Sequence, residues 1–295
     1  MILNDANLDD TFECDNEDFQ DRSPDSDLSQ TEVRVSHADT IRSIEWHLAS
    51  GSWGDFVKQL LDHCEQADKD GFAYLPGVLK GQRRINTAVE SLGLVVFDCD
   101  RERLASVREK AVASGWEGVL HTTHSHLTTS SIVGLSAYQA FAGQIDVLPK
   151  IVAQFLSRKK RFPEYSLEGL RVVSVNESSG TIEVAHGPVE KARLVFLPDI
   201  SLSVDELLAQ GMSFEAIKVL WRSAHAAIGR HLGLDFDAAC SDLARGYYFP
   251  SHPPGAPYVA EHLPGRPLPL QSFLLQAMEE VEEPATDKSK KISHG

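Results

Sequence analysis

Val95-Val96-Phe97-Asp98-Cys99-Asp100 constrains this chain more than any other stretch. An apolar run of that length reads as a buried strand, and strand alternation puts Asp98 and Asp100 on one face at its carboxyl end. Desolvating two neighbouring carboxylates costs several kcal/mol each unless a cation compensates. The pair therefore predicts a divalent-metal grip, and metal-dependent phosphate chemistry leads the functional expectations.

Composition limits what can surround that strand. With 295 residues, 42% of them apolar, the chain can bury one large core or two small ones. No run of 18 apolar residues suggests a membrane span, and the start MILNDANLDD lacks the basic and apolar regions of a secretory signal. Cys14, Cys64, Cys99 and Cys240 show no metal-ribbon spacing and read as free thiols of a cytoplasmic protein. The net charge of −15 is concentrated at one end, because residues 1–33 hold eleven acids against Arg22 alone. Such a segment buries too little apolar surface to offset its chain entropy, so 1–33 is expected to be a disordered acidic tail. It is either a solvating tail or one that mimics DNA and competes for a basic groove. Residues 279–295, with their KSKK run, are expected to form a second loose tail.

Between the tails, helix and strand patterns alternate. Ile41, Ile44, Leu48, Phe56, Leu60 and Leu61 have helical spacing, broken into two helices at Gly51-Ser52. A loop from Lys69-Asp70-Gly71 to Arg83-Arg84 leads to a strand over 92–97, a helix over 102–114 and a strand over 119–126. This is a β-α-β unit with the acids at the end of its first strand, a position suited to ligands. The second strand carries His121-Thr122-Thr123-His124-Ser125-His126. Alternation predicts His124 and His126 on one face, and a right-handed crossover brings that strand beside or near the first.

The section 128–190 offers a helix over 137–156, a basic cluster Arg158-Lys159-Lys160-Arg161, and a hairpin over 170–184 turning at Ser178-Ser179-Gly180. The cluster is either a solvated helix end or a phosphate track. Lys191 and Arg193 then alternate onto one face of a strand ending at Leu197, and Ser203 with Glu206 caps the next helix. Phe214, Ile217, Leu220, Trp221, Ala224 and Ile228 form the core stripe of an amphipathic helix.

After that helix come Asp235-Phe236-Asp237, Arg245, the strand Tyr247-Tyr248-Phe249-Pro250, and Pro253-Pro254-Gly255. Together these pieces resemble the archaeo-eukaryotic primase superfamily, in particular the primase-polymerase domains of phage and plasmid replication proteins. Asp98 and Asp100 match the first motif, Ser125 and His126 or Thr122 and His124 the second, and Asp237 the third. The Lys69-Asp70-Gly71 to Pro76-Gly77 loop with Arg83 or Arg84 also agrees. The resemblance covers roughly residues 40–275. It departs in one place: about sixty residues intervene before Lys191 and Arg193, which leaves their register open.

The resemblance implies an α+β catalytic domain over 34–278, an RRM-like core with a mixed or antiparallel sheet, flanking helices and an insertion at about 128–190. It implies primer synthesis on single-stranded DNA from nucleoside triphosphates by two-metal nucleotidyl transfer. Asp98, Asp100 and Asp237 would hold Mg²⁺ or Mn²⁺, hard ions that prefer oxygen. His126 would touch the triphosphate, with His124 in reserve and Ser125 beside it; Lys191, Arg193 and Arg245 would neutralise its charge. Tyr247 and Tyr248 either fill the core, the favoured reading, or stack on a base. No GxxxxGK[ST] loop is present, so a helicase would act in trans.

Other readings explain less. A haloacid-dehalogenase-type phosphatase shares the DxD strand but usually has Thr or Val where Glu102 stands. A rolling-circle nuclease leaves DxD unexplained, and two-histidine phosphodiesterases need two separate HxT strands. A non-catalytic initiator or interaction module on the same fold is the main alternative.

Overall fold

In the computed structural model, which describes residues 27–282, a hairpin forms where the spacing of Ile41, Ile44 and Leu48 suggests a helix. β1 (Glu32–Ala38) and β2 (His47–Ser52) pair antiparallel, Val33 opposite Gly51 and Val35 opposite Ala49. The helical pattern misleads because Ile44 and Leu48 stay exposed, whereas Val33 and Val35, two apart on a strand, reach the core. β1 also starts inside the expected acidic tail; residues 1–26, and with them Cys14, lie outside the described residues. The second expected helix forms as α1 (Trp53–Leu61), where Ser52 accepts the Asp55 N–H at 3.2 Å as N-cap.

Short strands β3 (Cys64–Glu65), β4 (Ala73–Leu75), β5 (Gly77–Leu79) and β6 (Val89–Leu92) lead to the acid-bearing β7 (Val95–Cys99). α2 (Leu104–Ser114) follows and ends on Gly115 at φ 64°, the left-handed cap that glycine adopts without a Cβ penalty. β8 (Gly118–Thr122) stops four residues earlier than the alternation suggests. Thr123–His126 form a turn, and Leu127 sits at φ 59°, so His124 and His126 are not strand neighbours on a common face.

The expected insertion builds a unit with its own core. β9 (Thr128–Gly134), α3 (Leu135–Ala142), α4 (Pro149–Lys160), β10 (Arg171–Asn176) and β11 (Thr181–Val189) make a sheet ordered β10-β11-β9, backed by the two helices. Val133, Tyr138, Val152, Phe155, Leu156, Ile182 and Val184 fill it. The single helix expected over 137–156 is two, because Gly143 at φ 66° ends the first and Pro149 opens the second. The hairpin turns where the sequence indicates, with Gly180 at φ 65°.

The remaining elements are β12 (Ala192–Phe196), β13 (Leu202–Ser203), α5 (Val204–Ala209), α6 (Phe214–Leu232), β14 (Tyr247–Tyr248), β15 (Ser251–His252), β16 (Ala260–Leu263) and α7 (Leu270–Glu282). Ser203 caps α5 as expected. α7 runs past the expected start of the second tail at 279, and residues 283–295 lie outside the described residues.

The fold is α+β, and its central sheet, ordered β16-β8-β12-β7, is antiparallel throughout. β12 lies between β7 and β8, so the two strands of the β-α-β unit are near but not adjacent. One sheet face, with Phe97, Leu120, Leu194 and Phe196, packs on α2, α6 and α7. The other, with Val96, Val119 and Val195, packs on α1 and on the β14-β4-β1-β2 sheet. Burying a side chain such as Phe97 stabilises by roughly 1.5–3 kcal/mol, and this double cover makes the sheet a rigid support for what projects from its end.

Candidate active site

Register places the first charged row. Arg193 is opposite Asp98 on one side and His121 on the other, so all three point to the sheet face that carries Val96, Val195 and Val119. They lie where the covering sheet leaves the central one, and the gap is a cavity of about 460 Å³. The insertion does not disturb this register, because the chain leaves β8 and returns into β12 at paired positions, Thr122 opposite Ala192.

Asp98 is 8% exposed, and Arg193 Nε donates to its Oδ1 at 2.7 Å. The same guanidinium donates to the Tyr248 carbonyl at 2.9 Å and lies 4.6 Å from the centre of the Tyr247 ring. Burial pushes the Asp98 carboxyl up, but Arg193, with Arg245 behind it, outweighs that and holds it below the usual carboxylate range. Asp100 lies one residue past the strand with Lys191 Nζ 3.7 Å away. Burial pushes its carboxyl up, Lys191 offsets part of that, and Asp98 adds repulsion, leaving it above the usual range.

Asp237 arrives from the loop after α6. Its N–H donates to the Asp98 carbonyl at 3.0 Å, and its Oδ1 caps the short turn Ala238–Ser241 by accepting the Ala239 N–H. Cys240 Sγ, in that turn, accepts the Asp98 N–H at 3.2 Å. The backbones carrying the first and third acids are therefore stitched together. Arg245 Nη2 spans them, 3.7 Å from Asp98 Oδ2 and 3.6 Å from Asp237 Oδ2.

Of the residues indicated by sequence, Asp98, Asp100, Asp237, His124, Lys191, Arg193 and Arg245 line this one cavity. Ser125 and His126 do not. His126 Nδ1 accepts the Lys191 N–H at 3.0 Å, which pins the turn to β12, while His124 Nε2 donates to the Gln66 carbonyl at 3.1 Å. Of the pair Arg83 and Arg84, Arg84 lines the cavity, held by the Ala244 and Ile41 carbonyls. Tyr247 is buried as favoured, and Tyr248 is half-buried at the cavity wall.

His121, Arg42 and Lys69 also line the cavity without having been singled out as ligands. His121 Nδ1 donates to the Thr122 carbonyl at 2.8 Å, which leaves Nε2 buried and without a protein partner. Burial, then Arg193, pushes its pKa down to about 3, so it is a neutral imidazole. Its placement follows from pairing with β12, a long-range fact that local alternation does not contain.

Counted by charge, the cavity wall carries six cations, Arg42, Lys69, Arg84, Lys191, Arg193 and Arg245, against three acids. That excess stands in a chain of net charge −15, so it marks a site for a strongly anionic ligand. The three carboxylates suit a hard divalent cation by donor chemistry. As arranged, no three His, Cys, Asp or Glu side chains among the described residues converge on one metal position, and the cation bridging Asp98 and Asp237 is Arg245. No helix among the described residues is long and apolar enough to cross a membrane. A scan against protein-family models and searches of curated proteins and of solved structures find no match.

Proposed function

We propose that this protein is a primase-polymerase-type nucleotidyl transferase that builds primers on single-stranded DNA from nucleoside triphosphates. The observation that carries this is the union, in one cavity, of three carboxylates from two chain segments with six cations. The antiparallel central sheet, with α2, α6 and α7 on one face, is compatible with an RRM-like core of that superfamily, while α1 and the β14-β4-β1-β2 sheet cover the face that such a core leaves open.

In this reading Asp98, Asp100 and Asp237 hold Mg²⁺ or Mn²⁺. Such ions, when bound, stabilise the attacking 3′-oxygen and the leaving pyrophosphate of an in-line displacement. Lys69, Lys191 and Arg245 face the triphosphate and neutralise it. The contacts of Arg245 to its two acids, at 3.6–3.7 Å, are long and exchangeable for phosphate oxygens. Arg193 is less free: its bond to Asp98 and its seat on Tyr247 make it the post that fixes the first acid's orientation. His121, neutral and with Nδ1 donating to the Thr122 carbonyl, presents Nε2 as an acceptor only, so it suits a hydroxyl of the ligand and does not replace His126 at the triphosphate oxygens. Strand separation would come from a helicase in trans.

A second reading, a non-catalytic nucleotide- or DNA-binding module, is favoured by one observation. Asp98 is already neutralised in a buried ion pair.

Primer synthesis on single-stranded DNA with Mg²⁺ or Mn²⁺ separates the two. The informative substitutions are Asp100→Asn and Asp237→Asn, because both side chains are roughly half exposed. Asp98→Ala would strand the buried Arg193 charge, at a cost of about 3–5 kcal/mol, and so confound activity with folding. Each asparagine variant should lose at least about a hundredfold in rate while keeping the wild-type melting temperature, the scale expected when a charge-stabilising group is removed from a transition state. A folded wild type that binds nucleotide but forms no product would leave the non-catalytic module standing.

A further inference from the structure

Arg158, Lys159, Lys160 and Arg161 close α4 in the insertion. All four are exposed, and none pairs with an acid among the described residues. A helix C-terminus favours cations through its dipole, which accounts for basic residues in the last turn. It does not account for Arg161. That residue occupies the left-handed cap at φ 55°, where glycine or asparagine is the low-strain choice, and the chain keeps an arginine there.

The position of Arg161 supplies a reason. Arg158 and Arg161 share a cleft of about 420 Å³ with Arg101, Asp235 and Glu164, three cations against two acids. Arg101 is the residue after Asp100, Asp235 stands two residues before Asp237, and Arg101 Nη1 donates to Asp235 Oδ1 at 2.6 Å. The cleft therefore adjoins both chain segments that carry the acids. The insertion is also held against this edge. Glu190 accepts from Arg103 Nη1 at 2.9 Å and from the Leu104 N–H at 2.5 Å, and Arg103 lies 3.5 Å from the centre of the Tyr165 ring.

We infer that the end of α4 and Arg101 form a phosphate track, along which single-stranded nucleic acid runs between the insertion and the acid-lined cavity. The inference rests on the proposed function for the identity of the strand, and on geometry and charge for the track itself. Four cations at the end of α4 that pair with no acid among the described residues, with Arg101 beside them held by Asp235, stand next to a cation-rich cavity in an acidic protein and fit the evenly charged backbone of nucleic acid.

The test is fluorescence anisotropy of a labelled oligo-dT with the full chain, over a salt series and with neither nucleotide nor metal present. Arg158→Gln with Arg161→Asn removes two cations and suits the left-handed position, so folding is retained; Lys150→Gln, exposed at the other end of α4, is the control. The double variant should bind about tenfold more weakly at low salt, and its log–log salt slope should be shallower by about 1.4, at about 0.7 per lost phosphate contact. The control should match wild type. Unchanged affinity and slope in the folded double variant would overturn the track, as would competition by poly-glutamate equal to that by unlabelled oligo-dT at matched charge. The outcomes are separable from the catalytic reading. Track-dependent binding without primer synthesis overturns catalysis alone, and primer synthesis with binding indifferent to the double substitution overturns the track alone.

Discussion

Lys191 and Asp100 form the titratable contact on which the site's pH response should turn. Asp100 is held above the usual carboxylate range by burial, with Asp98 adding to it, and Lys191 at 3.7 Å is the largest influence in the opposite direction. Removing that ammonium by Lys191→Ala should therefore raise the carboxyl further. A raised carboxyl stays protonated to higher pH, so the acid limb of primer synthesis should move upward in the variant. Carboxyl ¹³C NMR would follow Asp100 directly, and a midpoint that did not rise would show that the lysine does not govern it. The residue types of this contact were legible in the sequence, because alternation puts Asp98 with Asp100 and Lys191 with Arg193, but their register was not, and only the pairing of β12 with β7 sets Arg193 opposite Asp98. His121 was not, because only the pairing of Arg193 with both neighbours puts it in the charged row. The resemblance implies His126 at the triphosphate, on a strand running to residue 126, but the turn after Thr122 directs it to the Lys191 backbone instead.

At the level of elements, the third acid depends on how α6 ends. Phe236, between Asp235 and Asp237, packs edge-on against Phe97 at 4.9 Å, and its ring fills the space over Gly229. A Cβ on Gly229 would stand 2.1 Å from Phe236 Cε1. Gly229→Ala should improve helix propensity slightly yet force the ring out, costing about 1–3 kcal/mol as overpacking does. Because Asp237 is the next residue, the loop that donates to the Asp98 carbonyl should shift, and activity should fall well beyond what the lost stability explains. Thermal unfolding read beside primer synthesis checks this; a variant stable and active as wild type would mean that the ring relaxes without moving the loop. Elements with internal signals were readable in advance, among them α1, α2, α6, the capped α5 and the hairpin expected over 170–184, whose second strand runs on to Val189. The β1-β2 hairpin was missed because Ile41, Ile44 and Leu48 mimic a helical stripe, and only burial distinguishes the exposed Ile44 and Leu48 from Val33 and Val35. Competition between two periods in a short segment is settled by what the partner strand covers, here β4 on one side of β1.

For the whole molecule, the unit inserted between β8 and β12 has an architecture that states how it can be removed. Its seven core residues belong to none of the clusters around the central sheet. The chain enters and leaves through one narrow neck, where Thr128 is paired with Val189 and the Leu127 N–H donates to the Val189 carbonyl at 2.8 Å. Residues directly opposite on antiparallel strands are the ones that a two-residue turn can join. Replacing residues 129–188 by Asn-Gly should therefore leave β8 and β12 in register, since Thr122 and Ala192 are paired on the central-sheet side of the neck. The loss is local: Tyr165 no longer stacks under Arg103, but Arg103 and Leu104 keep Glu190, which is retained. The shortened protein should fold cooperatively with a melting temperature within several degrees of the full chain, and it should bind nucleoside triphosphate as before, because no residue of the insertion lines the acid cavity. It should lose affinity for single-stranded DNA by at least the factor lost on substituting Arg158 and Arg161, because the whole basic run goes with it. Calorimetric unfolding, nucleotide titration and oligonucleotide anisotropy on the same preparation would decide the matter. Nucleotide binding lost from a folded protein would show that the insertion shapes the cavity from a distance, and an unchanged DNA affinity would assign the strand to the central fold instead.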